Sequence, residues 1–382
     1  METPLDRLQR LLDALERKVS PEREAEIESR YVRALGYEPV DRPPVIIAVP
    51  DAPAGDHTPY PHSQAVHDPA VMLFNELVQA WGTSIVRRST VGDDLPLTVR
   101  ANMGTVLVAS CFGAVIEQPG DDPPWARHLD SRDRFVAALD RKGEPDSELV
   151  CRAERFMSFY REVLSGYGTL SRAVKITLPD LQGPLDNAAM LRGSDLLTDA
   201  FLDPPFFAAA LDRMATAQIA LAERFGPLTL NEPEDHVHQH GVMVRGGVLI
   251  RNDSTVMISP GMYAEQVGPH DRRVMQAVGG GSIHSCGSID HVVGEYLAHP
   301  VLRSLDYGQS KMNAVDEHYL LARERRVALL RVEVDRDELV TGAVCRRFPT
   351  GVALLYNAES AEDARRTMQS YIASTGPEIV VR

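Results

Sequence analysis

Cysteine is scarce in this sequence. Four in 382 residues (Cys111, Cys151, Cys286 and Cys345) are too few and too scattered for a disulfide framework, and they suit a reducing compartment. Long apolar runs are missing as well. No uninterrupted stretch is long enough to span a bilayer, and Met1-Glu2-Thr3-Pro4-Leu5-Asp6 lacks the basic start and apolar run of a signal peptide. Excess positive charge is lacking too: 40 basic against 54 acidic residues give a net charge of −14. That argues against nonspecific binding to nucleic acid or to an anionic membrane surface, but leaves room for a small anion held by a few arginines. No Gly-x-Gly-x-x-Gly follows the first predicted strand, and no Gly-Lys-Ser/Thr phosphate loop occurs, so nucleotide cofactors have little support. A cytoplasmic enzyme acting on a small molecule is the expectation.

What is present is a large apolar fraction and a rhythm. With 44% hydrophobic residues the chain can bury a large core. Leu5, Leu8, Leu11, Leu12 and Leu15 recur at helical spacing, and Ser20-Pro21 reads as the cap and first turn of a second helix. Residues 45–49 read as a buried strand, and 51–67 as a lid or a surface loop. Extended runs are expected at 97–100, 105–110 and 114–117, and helices at 68–81, 131–139 and 147–166. From residue 173 strands alternate with helices: strands at 174–178, 228–230, 303–305, 326–332 and 352–356, with a closing strand at 379–381. Polar residues gather just after the strand ends. The pattern predicts an α/β protein, a (β/α)8 TIM barrel over 41–382 with an N-terminal helical extension over 1–40 and chemistry at the C-terminal edge of the sheet.

The densest chemical signal is Gly279-Gly280-Gly281-Ser282-Ile283-His284-Ser285-Cys286-Gly287. On an extended strand His284 and Cys286 leave the same face, presenting an imidazole nitrogen and a thiolate to one point. Zn²⁺ is the usual occupant of such a pair; the alternative is a buried cysteine beside a satisfied histidine. Glu232, in the polar segment 231–240, is placed to complete a metal site or to act as acid or base, and His236, His238 and His240 alternate along it. Asp253 reads as a substrate ligand, as a partner of a ligating histidine, or as a turn residue. Asp180 and Asp186 flank Gln182-Gly183-Pro184 after a strand, and Asp306-Tyr307 closes another, with Tyr307 able to donate to substrate. Cys345, beside Arg346 and Arg347, is a further thiolate candidate.

Ordered segments spanning most of the chain resemble the uroporphyrinogen decarboxylase superfamily, including its zinc-dependent methylcobamide:coenzyme M methyltransferases. They are Asp41-Arg42-Pro43-Pro44-Val45, Asp180-Leu181-Gln182-Gly183-Pro184-Leu185-Asp186, Asn252-Asp253 with Ile258-Ser259-Pro260-Gly261-Met262-Tyr263, His284-Ser285-Cys286-Gly287, Leu305-Asp306 and the helix from Ser360. The resemblance implies a (β/α)8 barrel and a homodimer. It implies that His284 and Cys286 match the His-x-Cys zinc ligands of the methyltransferase branch, where the metal holds a thiol that attacks a methyl group on a corrinoid. This chain has no cobalamin-binding Asp-x-His-x-x-Gly, so a corrinoid would come on a separate protein. The branch's later Gly-Cys has no counterpart in Thr375-Gly376-Pro377-Glu378, which leaves Cys345 or Glu232 to complete the site. The decarboxylase branch carries an arginine-rich segment after its first strand; the equivalent here holds Asp51 and Asp56, in like-charge conflict with a polycarboxylate. The expected activity is zinc-dependent methyl or alkyl transfer involving a small thiol or carboxylated metabolite. Asp180, Glu232, Asp253 and Tyr307 are the expected site residues, and His284, Cys286, Cys345 and Glu232 the candidate ligands. The alternatives are a metal-free decarboxylase of a small acid, using an aspartate and the arginines near 346, and a non-catalytic binding barrel.

Overall fold

The apolar run Val45–Ala48 forms strand β1, which ends a parallel sheet. The computed structural model describes residues 2–49, 58–129, 131–141 and 145–375, with backbone alone over 80–90. Residues 51–57 of the lid-or-loop segment, including Asp51 and Asp56, and the expected strand at 379–381 lie outside those residues, while His62–Ala65 of the same segment is a short helix. The further strands are β2 Thr98–Val99, β3 Val115–Glu117, β4 Trp125–Arg127, β5 Lys175–Ile176, β6 His236–Gln239, β7 Val242–Arg245, β8 Leu249–Arg251, β9 Gly281–Ser285, β10 Leu302–Tyr307, β11 Ala328–Glu333 and β12 Val352–Asn357. Six of them pair in parallel in the order β1-β12-β11-β10-β9-β8. β2 and β5 make a separate parallel pair, and β3–β4 and β6–β7 are antiparallel hairpins. The fold is mixed α/β.

Parallel neighbours need crossovers, and helices supply them. Gly268–Ala277 lies between β8 and β9, Val293–Leu297 between β9 and β10, Val315–Arg325 between β10 and β11, and Arg336–Val340 between β11 and β12. Each crossover returns the chain to the same end of the sheet, so the residues just beyond β8, β9 and β10 share one edge. β9 is buried along its whole length although it reads Gly-Ser-Ile-His-Ser. Small side chains fit because the neighbours are close: Ser282 Oγ donates to Ser304 Oγ at 2.8 Å, and a Cβ on Gly281 would come within 2.6 Å of Met275.

β1 pairs with β12 on one side only. On the other, aspartates stand in for a neighbouring strand: Val45 N–H donates to Asp94 at 3.0 Å and Ile47 N–H to Asp93 at 2.9 Å. Asp94 is itself buried between Arg42 and Arg30, and the Arg42 charge overrides burial to hold its carboxyl below the usual range. The two N-terminal helices form as expected. Pro4–Glu16 starts in a Thr3–Asp6 capping box and buries Leu8, Leu11, Leu12 and Leu15; it packs on the Pro69–Thr90 helix. Pro21–Leu35, capped by Ser20, packs on β12. No described helix is long and apolar enough to cross a membrane.

Three local readings change. Residues 107–111 are a short helix rather than a strand. The run at 228–230 ends a 3-10 turn, and Leu230 makes a single bridge to Ile176. The polar segment from His236 is half of a hairpin, with His240 and Gly241 both at positive φ as a two-residue I′ turn requires.

Candidate metal centre

The strand periodicity does what it promised: His284 near the end of β9 and Cys286 one residue past it point together. Cys286 Sγ lies 3.5 Å from His284 Nε2. The third donor is Asp253, the first residue of a 3-10 turn after β8, with Oδ1 3.5 Å from the same nitrogen. One donor atom from each residue falls within 4.8 Å of the others. Metal bonds of about 2.0–2.3 Å in a tetrahedral shell place neighbouring ligand atoms roughly 3.3–3.7 Å apart. The sulfur and the oxygen each stand from the nitrogen as two ligands of one divalent metal ion would. Space for the sulfur depends on Gly308, where a Cβ would stand 2.7 Å from Cys286 Sγ.

The surroundings orient each donor. His284 Nδ1 faces Asp306 Oδ2 at 2.9 Å, and Arg331 Nε donates to Asp306 Oδ1 at 2.6 Å. Arg331 Nη2 also comes within 2.9 Å of His284 Nδ1. A guanidinium only donates, so the proton on Nδ1 belongs to the bond with Asp306, leaving Nε2 to face Asp253 and Cys286. Burial disfavours an imidazolium at His284, but the Asp306 charge outweighs it and raises the pKa to about 9. Metal binding would release that proton. Asp306 stays ionised against its burial because Arg331 and His284 are beside it. Arg331 reaches this position through a register shift in β11 between Leu329 and Val332, where its own φ is 53°. A bulge of that kind re-aims a side chain out of the strand's alternation.

Asp253 is fixed from two sides. Its backbone N–H and that of Ser254 donate to the two oxygens of Asp186, at 2.8 and 2.9 Å, and its Oδ1 accepts the N–H of Cys286 at 2.9 Å. Burial raises Asp186 to about 6. Asp186 sits in the first turn of the Pro184–Arg192 helix, whose entry at Gly183 is so close that a Cβ would meet Arg251 O at 2.5 Å. Arg251 bridges Asp253 Oδ2 at 3.3 Å and Asp180 Oδ2 at 2.9 Å. His240, at the hairpin tip, lies 3.2 Å from Asp180 and stacks over His284 at 6.2 Å between ring centres. Burial lowers the pKa of His240. Asp180 remains ionised despite its burial, held by His240 and Arg251.

Behind the site, Asn252 donates to Asp271 Oδ2 at 2.5 Å, as Tyr263 OH does at 2.9 Å, while Asp271 Oδ1 has no partner among the described residues. Burial pushes Asp271 up to about 7. A carboxyl raised above its unfolded value stabilises the fold below that unfolded pKa, and the contribution is lost as pH rises through 7. The melting temperature should therefore fall between pH 6 and 8. Asp271→Asn should flatten that slope and gain on the order of 2–4 kcal/mol over the native chain at pH 8. Scanning calorimetry at both pH values tests this; equal slopes would remove the assignment.

The other residues singled out in the sequence sit elsewhere. Glu232 is engaged by the hairpin, accepting His238 N–H at 3.0 Å and facing His238 Nδ1 at 2.5 Å. His236 Nδ1 is 2.8 Å from Glu234 O. Cys345 is buried with its thiol 3.7 Å from Tyr371 OH, and burial raises its pKa. Arg347 pairs with Asp316 and Glu338. Tyr307 OH is buried 2.9 Å from His318 Nδ1. Arg331 and Gly308 are not among the residues that the sequence pattern marks as site candidates. Arg331 carries one signal, a charge inside the otherwise apolar run 328–332.

No protein-family model and no curated protein sequence matches the chain. Solved structures do match it. One of them, a methyltransferase from Methanosarcina mazei, superposes with a TM-score of 0.61 at 16% identity, over 91% of this chain and 98% of that one. At this identity the likeness is one of fold.

Proposed function

We propose that the protein is a zinc-dependent methyl or alkyl transferase acting on a small thiol, with Asp253, His284 and Cys286 as the ligands. In this reading the six-stranded sheet and the β2–β5 pair are staves of a (β/α)8 barrel. The observation that carries it is the convergence of carboxylate, imidazole and thiol on one point at the C-terminal edge of a parallel sheet. The fold likeness to a methyltransferase supports the same class. When bound, zinc would supply the Lewis acidity that keeps a thiol deprotonated near neutral pH.

This chain's residues do the rest. Asp306 holds the His284 tautomer, Arg331 holds Asp306, Arg251 occupies Asp253 Oδ2, and Asp186 fixes the Asp253 backbone. The thiol gives its proton to solvent; the sulfur–carbon bond then forms as the bond between that carbon and its carrier breaks, the electron pair leaving with the carrier. A separate corrinoid protein as carrier, and a homodimeric assembly, complete the proposal. Two measurements test it: metal content of protein purified without added zinc, expected near one equivalent, and methyl transfer from methylcobalamin to a panel of small thiols. Less than about a tenth of an equivalent would sink the reading.

A further inference from the structure

Beside Asp253 lies a cavity of about 530 Å³, a volume usual for small-molecule sites. Its wall is apolar, with Leu185, Met190 and Leu197 contributing, and Trp125 and Met257 stand at it 56% and 63% exposed. Asp253 and Arg251 belong to the same lining, so at its polar end the cavity meets one of the three donors, Asp253, whose Oδ1 lies 3.5 Å from His284 Nε2. The charge there is an acidic excess. Arg251 is the only arginine of the described lining, it is shared between Asp180 and Asp253, and no lysine joins it. Asp186 adds a carboxyl, so an anionic ligand would meet acidic groups with no unpaired cation to receive it. His128 is tied through Nδ1 to Met190 O at 2.8 Å.

We infer that this cavity binds an uncharged molecule with an apolar body of about ring size and one sulfur or oxygen head directed at Asp253, His284 and Cys286. The substrate class is therefore a neutral aryl or alkyl thiol, or the corresponding ether, rather than a carboxylated metabolite. The cavity's preference follows from its own lining; only the direction of the head rests on the proposed metal site.

Isothermal titration of the full chain with phenylmethanol, ethanol and benzoate separates the contribution of the ring from that of charge. Phenylmethanol should bind saturably, about tenfold or more tighter than ethanol, as burial of an apolar ring predicts. Benzoate should bind at least about tenfold more weakly than phenylmethanol. Ala189→Phe, which fills the cavity from the Pro184–Arg192 helix, should weaken phenylmethanol about tenfold and leave ethanol unchanged. Leu197→Ala, which cannot overpack, should weaken it about threefold or more. No saturable phenylmethanol binding, a preference for benzoate, or indifference to both substitutions would overturn the inference. Phenylmethanol binding to protein that takes up no zinc would leave it standing while removing the metal reading. One equivalent of zinc without phenylmethanol binding would remove this inference alone.

Discussion

Cys286→Ala is expected to take bound zinc from about one equivalent to below about a tenth, and to abolish transfer to thiols. The sulfur is the softest of the three converging donors, and its loss leaves an imidazole and a carboxylate 3.5 Å apart, a set that suits many cations and holds few tightly. If the three ligands share the binding free energy roughly equally, one of them is worth about 10³-fold in affinity. Cys345→Ala is the control. Its thiol is buried against Tyr371, away from the three donors, so metal content should be unchanged. Elemental analysis of the two variants after equal dialysis reads both outcomes. If Cys286→Ala kept its zinc and Cys345→Ala lost it, the ligand set would have to be redrawn around the helix Ala343–Arg347.

Much of this arrangement was legible in the sequence for local reasons. The spacing of His284 and Cys286 on an extended segment fixes their shared face, and any chain that makes β9 a strand makes them meet. Asp253 was recognisable as a polar residue just past a strand, though its role was open among substrate, histidine partner and turn. The rest is set by tertiary contacts that leave little local trace. Asp186 and Asp253 are 67 residues apart, and only the approach at Gly183 brings the Asp186 carboxylate under the Asp253 backbone. Arg331 would follow strand alternation but for the bulge, and a bulge is decided by the neighbouring strands. Leu228-Thr229-Leu230 reads as a strand because its leucines alternate; a run of that length does not distinguish a strand from a tight turn. His238 and Glu232, polar and close to a predicted strand end, have the sequence pattern of site residues. They satisfy each other within the hairpin region, a use of polar residues that composition cannot distinguish from a site.

Asp306→Ala is expected to be the most destabilising single change near the centre. The Asp306 side chain is fully buried, accepts two bonds from Arg331 and one from His284 Nδ1, and is ionised. Its removal leaves the largely buried Arg331 without its carboxylate and His284 without the acceptor that fixes its tautomer. Breaking a buried pair from one side costs about 3–5 kcal/mol, because the remaining charge stays desolvated and uncompensated. Losing the carboxylate behind a ligating histidine lowers metal affinity about 10–100-fold. The two effects separate in the double variant Asp306→Leu with Arg331→Met, in which both charges are gone. Denaturant melts should show that the pair regains most of the lost stability, since an apolar replacement of a buried ion pair is close to neutral. Zinc affinity should stay as low as in Asp306→Ala, since no acceptor for Nδ1–H has been restored. If Asp306→Ala melted within about 1 kcal/mol of the native chain, the carboxylate would be solvated in the native state rather than locked between Arg331 and His284.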